Sequence, residues 1–203
     1  MTIPTLVKNY QNATYVTALQ KMTSTLNNGL KQIMANTGCS DIVCTGIIDS
    51  NQDTTIDNIG NSNVFSVAKK CYKNQTGCND KLTYTLVNNI PWLYIKDYYS
   101  VLELKDGSIF GVYVPSPNCN NVSGVNQYAS TCWQQGLIDV NGVKAPNVLG
   151  RDIFKFFLSK NGIILPAGTT DDTFIRHWTT YINSNCSDAC FGRIVENSWQ
   201  MDY

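Results

Sequence analysis

The chain has 203 residues and a mass of 22.6 kDa, the size of one ordinary domain with a single hydrophobic core. Hydrophobic residues make up 43% of it and charged residues only 15%, which excludes a disordered chain and predicts a polar, weakly charged surface. Fifteen basic and fifteen acidic side chains balance each other, so nucleic acid is not expected as the main partner.

A long amphipathic helix is predicted for residues 1–36. The apolar residues that recur mostly three or four positions apart are Leu6, Tyr10, Tyr15, Leu19, Met22, Leu26, Leu30, Ile33 and Met34. Pro4 is compatible with a first turn, where its missing amide hydrogen would have no partner, and Asn36-Thr37-Gly38 is a stop signal. Such a helix is about 50 Å long, more than this domain needs, so we expect part of it to protrude or to contact another molecule.

Residues 37–81 are predicted to form a loop-rich connecting region pinned by disulfides. The segment is rich in Ser, Thr, Asn, Asp and Gly, and residues 64–71 favour a short helix. Oxygen-bearing side chains alternate from Asp49 to Asp57 as at the start of a calcium loop, but the glycine of the sharp turn and the terminal glutamate are missing. A solvated polar loop is the preferred interpretation.

An antiparallel sheet is predicted for residues 82–165, because the apolar period changes to two. The predicted strands are residues 82–87, 99–104, 109–114, 136–140, 153–158 and 162–165. Asp106-Gly107 and Asn161-Gly162 suit tight hairpin turns after the second and fifth of these strands. The aromatic residues between 91 and 99 are expected to fill the core, with sugar stacking or a subunit contact as the alternatives.

A C-terminal helical region is predicted for residues 166–203. It comprises a helix over residues 171–182 capped by Thr170, a loop between Cys186 and Cys190, and a helical turn towards Trp199. The whole chain, residues 1–203, is therefore predicted to be one α+β domain in which the long N-terminal helix packs on an antiparallel sheet.

Eight cysteines predict four disulfides and an oxidising compartment. They are Cys39, Cys44, Cys71, Cys78, Cys119, Cys132, Cys186 and Cys190. They form four close pairs along the chain, so pairing in sequence order is favoured among the 105 connectivities that eight cysteines allow. A zinc site is disfavoured, because the spacings exceed those of Cys-x-x-Cys knuckles and the chain has one histidine.

The sequence contains no recognisable catalytic set. His177, the single histidine, lies beside Trp178 and is interpreted as a partly buried helix residue. The G-x-S-x-G, H-E-x-x-H, P-loop and G-x-G-x-x-G patterns are all missing. We therefore expect a protein that is not an enzyme.

Two segments resemble the type IV pilin and pseudopilin superfamily. Residues 1–11, followed by 16–21 and 26–35, are similar to the part of a pilin just after its hydrophobic half-helix, with an Ile3-Pro4 step and an amphipathic helix beginning near Tyr10-Gln11. Residues 139–154 are similar to the D-x-N-G-x-K-x-P-N-x-x-G-x-D-x-F segment of many bacterial pilin-like proteins. Together the two segments cover about a quarter of the chain, in the family's order.

The resemblance implies a structural subunit of a type IV pilus or type II secretion pseudopilus, working in adhesion, motility, DNA uptake or secretion. Its partners would be other pilin or pseudopilin subunits, bound through the N-terminal helix with Pro4, Tyr10, Tyr15 and Leu19. The apolar stretch, early glutamate and leader of the family are not in this sequence, so we expect them upstream, where they would anchor the subunit in the inner membrane. The expected location is the cell surface or periplasm. The alternative is an extracellular adhesin or lectin-like binding module.

The segment 139–154 is predicted to turn twice within a dozen residues. The residues of this turn motif are Asp139, Asn141, Gly142, Pro146, Asn147, Gly150, Asp152 and Phe154. Its side-chain oxygens are expected to cap backbone amides. The lesser alternative is a calcium ion held by Asp139, Asn141 and Asp152, as in the related loop of some major pseudopilins; two carboxylates are few for that purpose. No other cofactor is expected.

Overall fold

The computed structural model of the protein describes residues 3–78, 83–86, 91–120, 131–168, 186 and 189–203. Its helices are α1 (Ile3–Thr37), α2 (Gln52–Asn61), α3 (Ile95–Tyr98) and α4 (Cys190–Glu196). Its strands are β1 (Val67–Cys71), β2 (Thr83–Thr85), β3 (Pro91–Tyr94), β4 (Ser100–Leu104), β5 (Ile109–Pro115), β6 (Thr131–Asp139), β7 (Ile153–Ser159) and β8 (Ile164–Pro166).

Six of these strands form one antiparallel sheet in the order β1-β4-β5-β6-β7-β8. Strands β2 and β3 pair with each other in a separate small sheet. The predicted class, an α+β fold with a long N-terminal helix and an antiparallel sheet, is confirmed. Both predicted hairpins are present, and in each the glycine has a positive φ, 88° at Gly107 and 69° at Gly162.

One face of the large sheet packs against α1, α2 and α4. From α1 the buried side chains are those at helical spacing from Val16 to Ile33, and Leu19, Leu26 and Leu30 are at most 1% exposed. Gly29 lies where a Cβ atom would overlap the ring of Phe65, so the missing side chain lets α1 approach the segment before β1. The main hydrophobic core lies between these helices and this face of the sheet.

The opposite face of the sheet carries a second, smaller core. Tyr84 of β2, Tyr99 and Leu149 pack there with sheet residues such as Leu137 and Ile153. Leu149 belongs to the turn segment between β6 and β7, so this segment borders the second core at one end of the sheet.

The connecting region is more regular than predicted. A short helix was expected for residues 64–71, and this prediction is wrong: Val67–Cys71 is strand β1, paired with β4. Helix α2 was not predicted. It begins at a cap, where the Asn51 side-chain oxygen accepts hydrogen bonds from the amides of Asp53 and Thr54 at 2.7 and 3.4 Å.

Other differences concern the extent of elements. Strand β6 begins at Thr131, earlier than the predicted residue 136, and the aromatic segment starting at Pro91 contributes strand β3. The predicted helix over residues 171–182, its cap Thr170 and His177 lie outside the described residues. Within the described residues, none of the helices combines the length and apolar character needed to cross a membrane.

Four disulfides join cysteines that are neighbours in the sequence. They are Cys39–Cys44, Cys71–Cys78, Cys119–Cys132 and Cys186–Cys190. Each closes a short loop, with sequence separations from 4 to 13, so the bridges fix local loops rather than join distant elements.

Candidate functional site

The first turns of α1 expose a continuous row of apolar side chains. We call Ile3, Leu6, Val7 and Tyr10 the exposed stripe; their side chains are 80%, 60%, 49% and 75% accessible to solvent. Their spacing of i, i+3, i+4 and i+7 places them on one side of the helix. Large apolar side chains exposed together on one side of a helix are typical of interaction surfaces, so the stripe is a candidate contact surface.

The exposed stripe faces away from the domain that carries it. Successive residues of an α-helix are rotated by about 100°, so the stripe lies on roughly the opposite side of α1 from the buried residues between Val16 and Ile33. The sheet of the same chain therefore cannot cover the stripe by extending along the helix. A partner must approach from the opposite side.

The exposed stripe ends at Tyr10. Further along the same side of α1 the residues are polar, beginning with Thr14, Thr17 and Lys21. The hydroxyl groups of Thr14 and Thr17 donate to the carbonyls of Tyr10 and Ala13, both at 2.9 Å. The apolar contact surface is thus confined to about the first eight described residues of the helix.

The predicted filament residues separate into two groups. Pro4 and Tyr10 lie on the exposed part of α1, whereas Leu19 is fully buried in the core and cannot contact a partner. Tyr15 is half-buried at the border between the two parts. Burial raises the pKa of its hydroxyl, and the charge of Asp152 acts in the same direction.

The border is held by the turn segment. The guanidinium of Arg151 donates to the side-chain oxygen of Gln11 at 3.0 Å and lies 5.9 Å from the ring centroid of Tyr15. Nothing in the sequence signals this contact, because the two partners are 140 residues apart.

The C-terminal tail holds the same border. The side-chain amide of Asn12 donates to the backbone carbonyl of Met201 at 3.5 Å, and the Tyr203 hydroxyl donates to the backbone carbonyl of Gly150 at 2.7 Å. Arg193 of α4 binds Asp202 at 2.8 Å and so positions the tail. Turn and tail together contact one side of α1 just after the exposed stripe, at Gln11, Asn12 and Tyr15.

The turn is organised by two buried carboxylates. One oxygen of Asp139 accepts hydrogen bonds from the amides of Asn141 and Gly142 at 3.1 and 2.7 Å, and the other accepts from the Tyr84 hydroxyl at 2.8 Å. The two oxygens of Asp152 accept from the amides of Asn147 and Val148 at 2.8 and 2.7 Å. The carboxylates therefore cap the backbone amides of the turn.

The other turn residues fit this arrangement. Gly142, Asn147 and Gly150 have positive φ angles of 61°, 51° and 85°, and the peptide bond before Pro146 is cis. Phe154 is also buried, but it packs on the helix side, with its ring centroid 6.1 Å from that of Phe191. It supports the core instead of the turn.

Burial dominates the electrostatics of the carboxylate pair. It raises the pKa of Asp139 to about 7 although three donors oppose the rise, and the neighbouring charge of Asp152 adds to it. Burial also raises the pKa of Asp152, against the lowering effect of the Val148 and Asn147 amides.

The three candidate calcium ligands, Asp139, Asn141 and Asp152, differ in whether their oxygen atoms already accept hydrogen bonds. All four carboxylate oxygens already face donors, whereas the Asn141 Oδ1 atom is buried and forms no hydrogen bond with the described residues. No group of three or more His, Cys, Asp or Glu side chains that could hold a metal occurs in the part of the chain that the structure describes. The observed geometry favours the capping role, and calcium binding stays a prediction.

Comparison of the chain with protein-family models, with curated proteins and with solved structures finds no match. The family hypothesis therefore rests on the two segments that resemble pilins.

Proposed function

We propose that the chain is a non-enzymatic structural subunit of a type IV pilus or secretion pseudopilus, assembling with other subunits through α1. The observation that supports this proposal best is the exposed stripe. Its four apolar side chains point away from the domain, so they can be buried only by another molecule or another segment.

The chemistry of the stripe fits a helical partner. Apolar side chains at i, i+3, i+4 and i+7 form the seam by which helices pack against one another. Packing of α1 from one subunit against α1 of others would bury the stripe repeatedly in a head-to-tail assembly. In this proposal an upstream apolar segment continues α1 and anchors the subunit in the inner membrane before assembly.

The disulfides support the proposed location. Four bridges and no free cysteine among the described residues indicate an oxidising compartment, such as the periplasm or the cell surface. The contacts of the turn and the tail with α1 contribute differently. They hold α1 at a fixed angle to the domain, and a repeating assembly requires that angle to be the same in every subunit.

The first test is the coding sequence immediately upstream of residue 1. An apolar stretch with an early glutamate, preceded by a short basic leader ending in Gly or Ala, is the expected result. A cleavable secretory signal would contradict the proposal and favour the extracellular adhesin.

The second test uses substitutions in the complete protein. Leu6→Glu and Tyr10→Glu place a charge in the exposed stripe without touching the core, so we expect normal protein levels but loss of the subunit from sheared surface filaments. Thr17→Glu is the matched control, because Thr17 is also exposed on the same side of α1 but lies beyond the stripe. Unchanged filament incorporation of both stripe variants would refute assembly through this surface.

A further inference from the structure

A polar pocket lies at the end of α1 opposite to the exposed stripe. Its volume is about 360 Å³, and it is formed where the last turn of α1, the segment 45–47 after the Cys39–Cys44 loop and the end of α2 meet. The polar side chains that line it are Asn36, Thr37, Thr45, Asn58, Asn61 and Ser62. A volume near 300 Å³ or above is typical of small-molecule sites in proteins.

The pocket has unused hydrogen-bonding groups of both kinds. Asn58 donates from its amide nitrogen to the Ile47 carbonyl at 3.3 Å, and its side-chain oxygen remains as an acceptor. Asn61 accepts from the Lys70 ammonium at 2.7 Å with its oxygen, which leaves its NH₂ group as a donor. The Asn36 amide forms no hydrogen bond with the described residues, so it offers a donor and an acceptor.

The electrostatics of the pocket disfavour anions. None of its nine lining residues is charged, and the Lys70 ammonium beside Asn61 is paired with the Asp57 carboxylate at 2.9 Å. The C-terminal ends of α1 and α2 both reach the pocket, at Thr37 and Asn61, and the dipole of a helix places partial negative charge at its C-terminus. A phosphate or carboxylate would be repelled, while hydroxyl donors would be attracted.

We infer that this pocket binds a neutral carbohydrate through one pyranose ring. Asn36, Asn58 and Asn61 together offer free donors and acceptors in one pocket, which suits sugar hydroxyl groups because each hydroxyl both donates and accepts. The inference does not depend on the proposed filament role, since the pocket and the exposed stripe lie at opposite ends of α1.

The test is an NMR titration of the ¹⁵N-labelled full chain with the methyl glycosides of glucose, mannose and galactose. At least one glycoside should shift the amide signals of residues 36–37, 45–47 and 58–62 in a saturable manner. The signals of the exposed stripe should stay unchanged. No saturable shift with any glycoside would overturn the inference, as would an equal response of the same signals to inorganic sulfate.

Two matched variants locate the binding. Asn36→Ala should weaken binding about fivefold, the effect of losing one hydrogen bond of about 1 kcal/mol. Asn28→Ala should leave the affinity unchanged, because Asn28 is also exposed on α1 but lies about two turns before Asn36 and does not line the pocket. Equal effects of the two substitutions, or no effect of Asn36→Ala, would place the sugar elsewhere and refute the assignment.

Discussion

Asp139 is expected to make the folded protein more stable at mildly acidic pH than above neutrality. Burial raises the pKa of Asp139 from 3.8 to about 7, so between these values the folded state binds a proton that the unfolded state releases. Stability contributed by the neutral carboxyl is therefore complete below about pH 4 and is lost as the pH rises towards 7. Asp152, whose pKa is also raised by burial, acts in the same direction.

The size of the effect follows from the pKa. A tenfold change in proton affinity corresponds to about 1.4 kcal/mol. The rise of the Asp139 pKa from 3.8 to about 7 therefore changes the free energy of unfolding by at most about 4 kcal/mol. Asp139→Asn removes this titration and keeps the shape: the amide oxygen can accept from the amides of Asn141 and Gly142, and its NH₂ group can donate to Tyr84. The variant should lose most of the pH dependence.

The assay is urea unfolding of both proteins between pH 4.5 and 8.5, with the disulfides intact and a chelator present, followed by tryptophan fluorescence. We expect the unfolding free energy of the parent protein to fall across this range and that of Asp139→Asn to stay nearly flat. A parent protein that becomes more stable with rising pH, or a variant that keeps the full slope, would show that Asp139 is ionised throughout and refute the reasoning.

Four further predictions test the turn, the disulfides and the core. If calcium binds at the turn, excess ion should raise the melting temperature and Asp139→Ala should abolish that increment; identical melting curves with calcium and with chelator would exclude the site. Asp139→Ala should also destabilise the protein at pH 5 by about 1 to 2 kcal/mol, through loss of hydrogen bonds to the turn, and an unchanged urea midpoint would contradict the capping role. Thiol titration of the denatured, unreduced protein should detect no free thiol, and two or more would disprove four disulfides. Leu26→Ala should cost about 2 to 5 kcal/mol because Leu26 is buried, whereas Leu6→Ala should change stability by less than about 0.5 kcal/mol; similar costs would mean that α1 packs differently.

Local chemistry in the sequence was sufficient for the long helix and the two hairpins. Residues three or four apart define the apolar face of α1 whatever surrounds it, and Gly107 and Gly162 permit positive φ angles that other residues avoid. The turn motif is also readable locally, because the carboxylates of Asp139 and Asp152 cap amides within five residues of themselves.

Local chemistry was misleading where pairing decides the structure. Residues 64–71 have helical spacing, yet β1 exists because β4 offers hydrogen-bonding partners from Leu104 to Val101. Helix α2 is short and rich in residues with modest helix propensity, and it is stabilised by the Asn51 cap and by burial of Ile56 and Ile59.

Only the tertiary structure decided which groups meet at the candidate sites. Tyr84 lies 55 residues from Asp139, and Gln11 lies 140 residues from Arg151, so no local pattern could have paired them. The same holds for the polar pocket, which needs the ends of two helices side by side. Sequence periodicity showed that α1 is amphipathic, but the sheet determined where burial begins and thereby left the apolar side chains before Asn12 exposed.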